Sequence, residues 1–230
     1  IDAAFERVFS QAKGRIMVAT FASLISRVQQ VARVARKYNR KMAIVGYTMT
    51  RYVQMARDLG YLDIPDNLIV DVGKIDSMQP QQVVLMVTGT QGEPSAVLGR
   101  LGVGRHRQLD VREGDTIILS SHPIPGNEEM VYRTINRLIQ RGANVIYDPI
   151  ESVHVSGHAC QEEMKLMINL VQPRDLMPVH GELRHLQLHA KMAIESGIPE
   201  QNVIRAENGM VVEVSKRSVR ITDRVPGGYV

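Results

Sequence analysis

His154, His158 and His180 are the residues best suited to chemistry in this 230-residue chain. The first two stand in HVSGHACQEEMKLMI and the third in MPVHGE, 22 residues after His158, each next to or near glycine between apolar runs. An imidazole can ligate zinc when neutral, exchange a proton near neutral pH, or place positive charge beside a phosphate. A helix N-terminus adds unpaired N–H donors and the positive end of a dipole, a natural cradle for a phosphate. The stretch HVSGHACQEE has that form. Ser156 offers a hydroxyl, Gly157 lets backbone approach closely, and His158 precedes the expected helix, with His154 and Val155 leading in. The same letters also describe an ordinary capped helix with Gln161 and Glu162 in its first turn, and both readings stand at this level. In TFASLIS, Ser23 is expected to cap a second helix, leaving the N–H groups of Leu24 and Ile25 free at its opening. Capping alone also accounts for such a serine.

His180 is expected to end a strand just before a helix, with Gly181 giving the turn its freedom. A lone histidine in that place is more often a hydrogen-bonded turn residue than a ligand. His185 and His189 share a face of the next helix at i, i+4, but HExxH is absent and the pair reads as solvated surface. A catalytic zinc centre needs about three protein ligands, and these residues do not supply them. SSHPIPGNEE combines a double-proline turn with Asn127 as an N-cap and carries His122 at a strand end. No G-x-S-x-G elbow is present, which disfavours hydrolysis by that kind of serine nucleophile.

The elements that must position these residues alternate in kind. RIMVATF (15–21), KMAIVGY (41–47), QVVLMVTG (82–89), DTIILSS (115–121), ANVIYD (143–148) and DLMPVHG (175–181) have strand length. Helical periods lie between them: Val28, Val31, Ala32 and Ala35 in one, Met164, Met167, Ile168 and Val171 in another. The pattern predicts βαβ units on a largely parallel sheet, an α/β fold with helices on its flanks. Ligands of such sheets sit beyond the carboxyl ends of the strands, where these loops fall. After about residue 200, NVIRA, GMVVEVS and SVRITD predict a small antiparallel unit.

Composition narrows the classes. With 44% hydrophobic residues the chain can build a core, and its one cysteine, Cys160, excludes an internal disulfide or a cysteine cluster for zinc. A reducing compartment, the cytoplasm, is the expectation. There is no apolar run of about 18 residues and no signal-like start, so no membrane partner is expected. Net charge is +4, and the sequence pI of about 9.3 with groups such as Arg33, Arg36, Lys37, Arg40 and Lys41 favours a polyanion. Tryptophan is absent and aromatics make up 4%, so a nucleic acid would be held mainly through its backbone.

Taken together and in this order, RIMVATFAS, TGTQGEP, SSHPIPGNEE, HVSGH with QEEMKLM, and PVHGE resemble the bacterial ribonuclease J family. That family belongs to the metallo-β-lactamase superfamily and carries a β-CASP insert. The resemblance implies that residues 1–150 are most of a β-CASP domain and residues 151–230 a return segment of the metallo-β-lactamase-like αββα domain. It implies a zinc-dependent ribonuclease, a 5′–3′ exonuclease that also cuts internally, acting in mRNA decay and ribosomal RNA maturation. By the same resemblance His158 is the catalytic histidine near the scissile phosphate and His180 a ligand of a two-zinc centre. Ser23, Leu24 and Ile25, together with His154, Val155, Ser156, Gly157 and His158, match stretches that hold RNA phosphates, including a 5′ monophosphate. Association into homo-oligomers, dimers or tetramers, is implied as well. The HxHxDH motif, further histidine and aspartate ligands, and a C-terminal dimerisation domain have no counterpart in this sequence. The chain is therefore expected to be an internal fragment, inactive by itself, with His180 one ligand of a broken site. The rival expectations are an RNA-binding module without catalysis and a hydrolase of the same fold acting on something other than RNA.

Overall fold

A computed structural model describes residues 1–226. They form two compact units, divided between Ser156 and Gly157. The first unit opens with α1 (Asp2–Gln11), β1 (Ile16–Ala19), α2 (Ile25–Lys37), β2 (Lys41–Ile44) and α3 (Tyr47–Asp58). After a stretch of 3-10 turns come β3 (Val83–Val87), α4 (Val97–Gly102), β4 (Thr116–Leu119), α5 (Glu128–Gln140) and β5 (Asn144–Ile146). The described strands of this unit form one sheet in the order β2-β3-β1-β4-β5, parallel at every pairing. Strands buried on both faces must be apolar throughout, and IMVA in β1 and VVLMV in β3 are buried at every position.

Alternation sorts these side chains between two cores. Ile16 and Val18 of β1 pack with Phe5, Phe9, Val28 and Val31 on one face. Met17 and Ala19 pack with Leu85, Leu98, Leu101 and Ile135 on the other. The amino end of the sheet is tied by a buried ion pair. Arg15 donates from Nε to Asp115 Oδ1 at 3.0 Å and from Nη2 to the Asp110 carbonyl at 2.7 Å. Both partners are almost fully buried. The carboxyl end is left to loops.

The second unit contains α6 (Gln161–Val171), α7 (Leu183–Glu195) and the antiparallel pair β6 (Met210–Val214) and β7 (Val219–Arg224). Ile168, Ala190, Met192, Ala193, Ile198 and Val203 form its core. Two expectations are corrected here. Residues 175–181 are not a strand, because only Leu176 finds a partner, in an isolated bridge to Val203. The apolar period of α6 does not mark one buried face: Ile168 is buried and Met164 partly so, while Met167 and Val171 are exposed. No described element covers those two side chains. No helix among the described residues is long and apolar enough to cross a membrane.

Candidate phosphate-binding loops and histidine cluster

The carboxyl ends of β1 and β4 deliver the first group of candidates. Val153 is fully buried, and its carbonyl accepts two hydrogen bonds, from Arg27 Nη1 at 2.8 Å and from Ser120 Oγ at 2.6 Å. Arg27 comes from the first turns of α2 and Ser120 from the end of β4. Two elements thus fix the residue immediately before His154. The charge on Arg27 is largely out of water, and burial pushes its pKa down; an arginine nonetheless keeps its proton in such a place.

His154 meets His122 edge-on, with ring centroids 4.8 Å apart and planes at 84°. His122 Nδ1 lies 3.5 Å from Asp148 Oδ2. Nδ1 of His154 is buried without a hydrogen-bond partner. Burial first, then the fields of His122 and Arg27, hold the pKa of His154 below the ordinary histidine value, against weaker opposition from the Ser120 backbone and Asp148. A neutral ring is the consequence near pH 7. Arg27 escaped the sequence reading, although the signal was present. It stands four residues before Val31 and seven before Val34, a charge set on the apolar stripe of a helix.

At the other predicted loop the structure corrects a detail. Helix α2 begins at Ile25, and its N-cap is Leu24 rather than Ser23. The N–H groups of Leu24 and Ile25 are already used, bonded to the carbonyls of Phe21 at 3.0 Å and Ser23 at 2.9 Å. A tight turn satisfies them locally, so they are not open donors. Ser23 remains exposed at the loop's surface, and Leu24 and Ile25 are partly exposed.

In the second unit, Gly157 and His158 lie on an irregular segment before α6 rather than at the helix end itself. The N-cap is Cys160, whose N–H donates to Glu163 Oε2 at 2.8 Å, while the Cys160 side chain accepts from the helix in return. That contact lowers the Glu163 pKa. The end of α6 is therefore capped by its own residues, as the structural reading of VSGHACQEE anticipated. A Cβ on Gly157 would meet nothing within 4 Å, so the protein itself does not require glycine there.

The structure brings His158 and His180 together. Their rings stack at 5.7 Å with 14° between planes. The left-handed residue of the MPVHGE turn is His180 itself, at φ +63°, and not Gly181. Such a conformation in a histidine is uncommon and marks an over-determined turn. His180 lines an open cavity of about 790 Å3 with Pro178, Glu182, Asn208 and Arg224. His185 is occupied otherwise: its Nδ1 accepts the Glu182 N–H at 3.2 Å and closes the cap of α7.

Among the described residues no three histidine, cysteine or carboxylate side chains stand close enough to hold a metal ion. His180 is at most one ligand, so the residues present do not by themselves fit a zinc centre.

Comparison with known proteins places the chain. Residues 13–138 match the family model described as Ribonuclease J, beta-CASP domain. Residues 142–204 match the one described as Zn-dependent metallo-hydrolase RNA specificity domain. Among curated proteins, Ribonuclease J of Synechocystis sp. is 46% identical over 97% of this chain and 35% of its own length. Ribonuclease J of Mycolicibacterium smegmatis is 45% identical over 96% of the chain and 40% of its own length. Ribonuclease J of Thermus thermophilus is 44% identical over 97% and 39%. The chain thus spans between a third and two fifths of the length of these relatives. With a parallel sheet of the expected kind and a family model matching more than half of its residues, the chain belongs to the ribonuclease J family.

Proposed function

We propose that the intact protein is a metal-dependent ribonuclease that hydrolyses RNA phosphodiesters, working from a 5′ monophosphate toward the 3′ end and also cutting internally. The observation that carries this reading is the match to proteins named Ribonuclease J over nearly the whole chain. Its setting is the cytoplasm, its processes mRNA decay and ribosomal RNA maturation, and its assembly a homo-oligomer. Two zinc ions are the proposed cofactor, with His180 as one ligand.

The chain's own residues have separate tasks in this reading. The segment 154–158 supplies backbone N–H groups and the Ser156 hydroxyl to a phosphate, and Ser23 to Ile25 line a neighbouring stretch of backbone. His158 carries a proton to or from the phosphate oxygens, and its stacking on His180 sets the ring's orientation. Arg27 and Ser120 hold the Val153 carbonyl and so fix where His154 begins. Contacts to phosphate carry no base identity, so cleavage is expected at every sequence.

The test is cleavage by the intact protein of one short RNA bearing a 5′ monophosphate or a 5′ hydroxyl, at fixed salt because phosphate contacts are salt-dependent. The monophosphate form is cut faster, Ser156→Ala removes the preference, and His158→Ala slows cleavage roughly 10²–10⁴-fold, the range of general acid–base catalysis. RNA left intact while another phosphodiester is hydrolysed would overturn the reading.

A further inference from the structure

A second crevice opens at the carboxyl ends of β1, β2 and β3, with a volume of about 440 Å3. That is within the range of small-molecule sites, and the place is where parallel sheets take ligands. Neither Ser23–Ile25 nor residues 154–158 line it. Four features of its wall point to one kind of ligand.

Helix α3 starts in the crevice after Gly46, which has no side chain to cap it. Its first full helical bond runs from Thr50 N–H to the Gly46 carbonyl at 3.0 Å. The N–H groups of Tyr47, Thr48 and Met49 therefore have no acceptor within the helix, and they stand at the positive end of its dipole. The second feature is independent. Thr20 belongs to the same wall and is 1% exposed, yet its Oγ1 has no hydrogen-bond partner. A buried hydroxyl in that condition is rare enough to call for a missing partner.

Arg100 supplies the third. It is exposed on α4, lines the crevice, and forms no ion pair among the described residues. The fourth is aromatic: Phe21 and Tyr47 both line the crevice and are 36% and 76% exposed. The Arg51 guanidinium sits 5.6 Å from the Tyr47 ring centroid. One carboxylate is present, Glu93, with Oε2 accepting the Gln91 N–H at 3.0 Å. It disfavours a bare anion and leaves an oxygen to accept from a sugar hydroxyl.

We infer that this crevice binds a single nucleotide. The phosphate lies at the start of α3 and toward Arg100, with the Thr20 hydroxyl as a further donor. The base lies against the rings of Tyr47 and Phe21, and the ribose hydroxyls face Glu93. Stacking on a ring tolerates any base. The nucleotide comes from a free nucleoside 5′-monophosphate or from one residue of an RNA strand. The inference stands apart from the ribonuclease reading, because its residues and its readout are different.

The experiment is calorimetric titration of the intact protein carrying Ser156→Ala and His158→Ala, so that the histidine loop is silenced. Adenosine 5′-monophosphate is expected to bind saturably, and adenosine and inorganic phosphate at least roughly tenfold more weakly, since each lacks a charge-assisted or stacking half of the contact. Adding Arg100→Ala or Thr20→Val weakens the mononucleotide by a similar factor. Thr20→Val also leaves the thermal midpoint of the ligand-free protein unchanged or higher, because it removes an unsatisfied hydroxyl, so lost binding is not lost folding. Competition by a 5′-hydroxyl RNA assigns the nucleotide to a strand, and no competition assigns it to the free monomer. Absence of saturable binding, or binding indifferent to both substitutions, overturns the inference. Cleavage assays are not part of this readout, so failure of one reading leaves the other standing.

Discussion

The carbonyl of Val153 is a small object with a large share of the site's definition. It is gripped from α2 by Arg27 and from the end of β4 by Ser120. Ser120→Ala removes one of the two donors and is expected to cost about 1 kcal/mol in global stability by denaturant titration. The preference for a 5′ monophosphate should fall in the same variant, with cleavage of the hydroxyl form little changed. His154 adds a pH dependence whose sign follows from its lowered pKa. Below the ordinary histidine value of about 6.5 the unfolded chain takes up a proton that the folded ring refuses, so stability falls as pH falls, until the folded pKa is reached. Denaturation of the protein at pH 7.5 and 5.5 checks this, and His154→Gln should flatten the difference. At the far end of the sheet, Asp115→Ala strands the buried guanidinium of Arg15 and is expected to cost roughly 3–5 kcal/mol.

Elements show why some of the sequence could be read and some could not. Val28, Val31, Ala32 and Ala35 repeat at helical spacing and are buried in α2 as that spacing predicts. Met164, Met167, Ile168 and Val171 repeat in the same way, yet α6 buries only part of the set. Periodicity reports an apolar stripe and says nothing of what lies against it. The run at 175–181 has strand letters but gains just one bridge, because strand formation needs a neighbour that local sequence does not encode. Asn127 does cap α5 as its position predicts, but the cap of α2 failed for a related reason: whether Ser23 or Leu24 precedes the helix depends on a turn closed by Phe21 and Ser23 carbonyls. Short helix α4 carries a sharper constraint. A Cβ on Gly99 would come within 2.2 Å of the Glu93 carbonyl oxygen. Gly99→Ala is therefore expected to destabilise by about 1–3 kcal/mol, measured by thermal melting, since the loop before α4 must move to admit it.

For the molecule as a whole, the fold class was legible and the wiring was not. Five apolar runs in the first unit became the five strands of its sheet, because a strand buried on both faces must be apolar along its length. Which strand lies beside which depends on crossovers that leave no mark in any single run. The three histidines were legible as residues, but the pairing of His158 with His180 and of His154 with His122 came only with the fold.

The strand order also has a consequence in time. Among the described strands of this sheet β1 is made first and takes the centre, yet neither of its partners, β3 and β4, exists until residues 83–87 and 116–119 have been made. Strand β2 offers no relief, since it pairs with β3 and leaves a strand-wide gap beside β1. A nascent chain must therefore hold two apolar strands with open edges through some forty residues of synthesis before the third slides between them. Translation speed and chaperone access over that interval, rather than the final stability, should decide how much of this protein is recovered in soluble form.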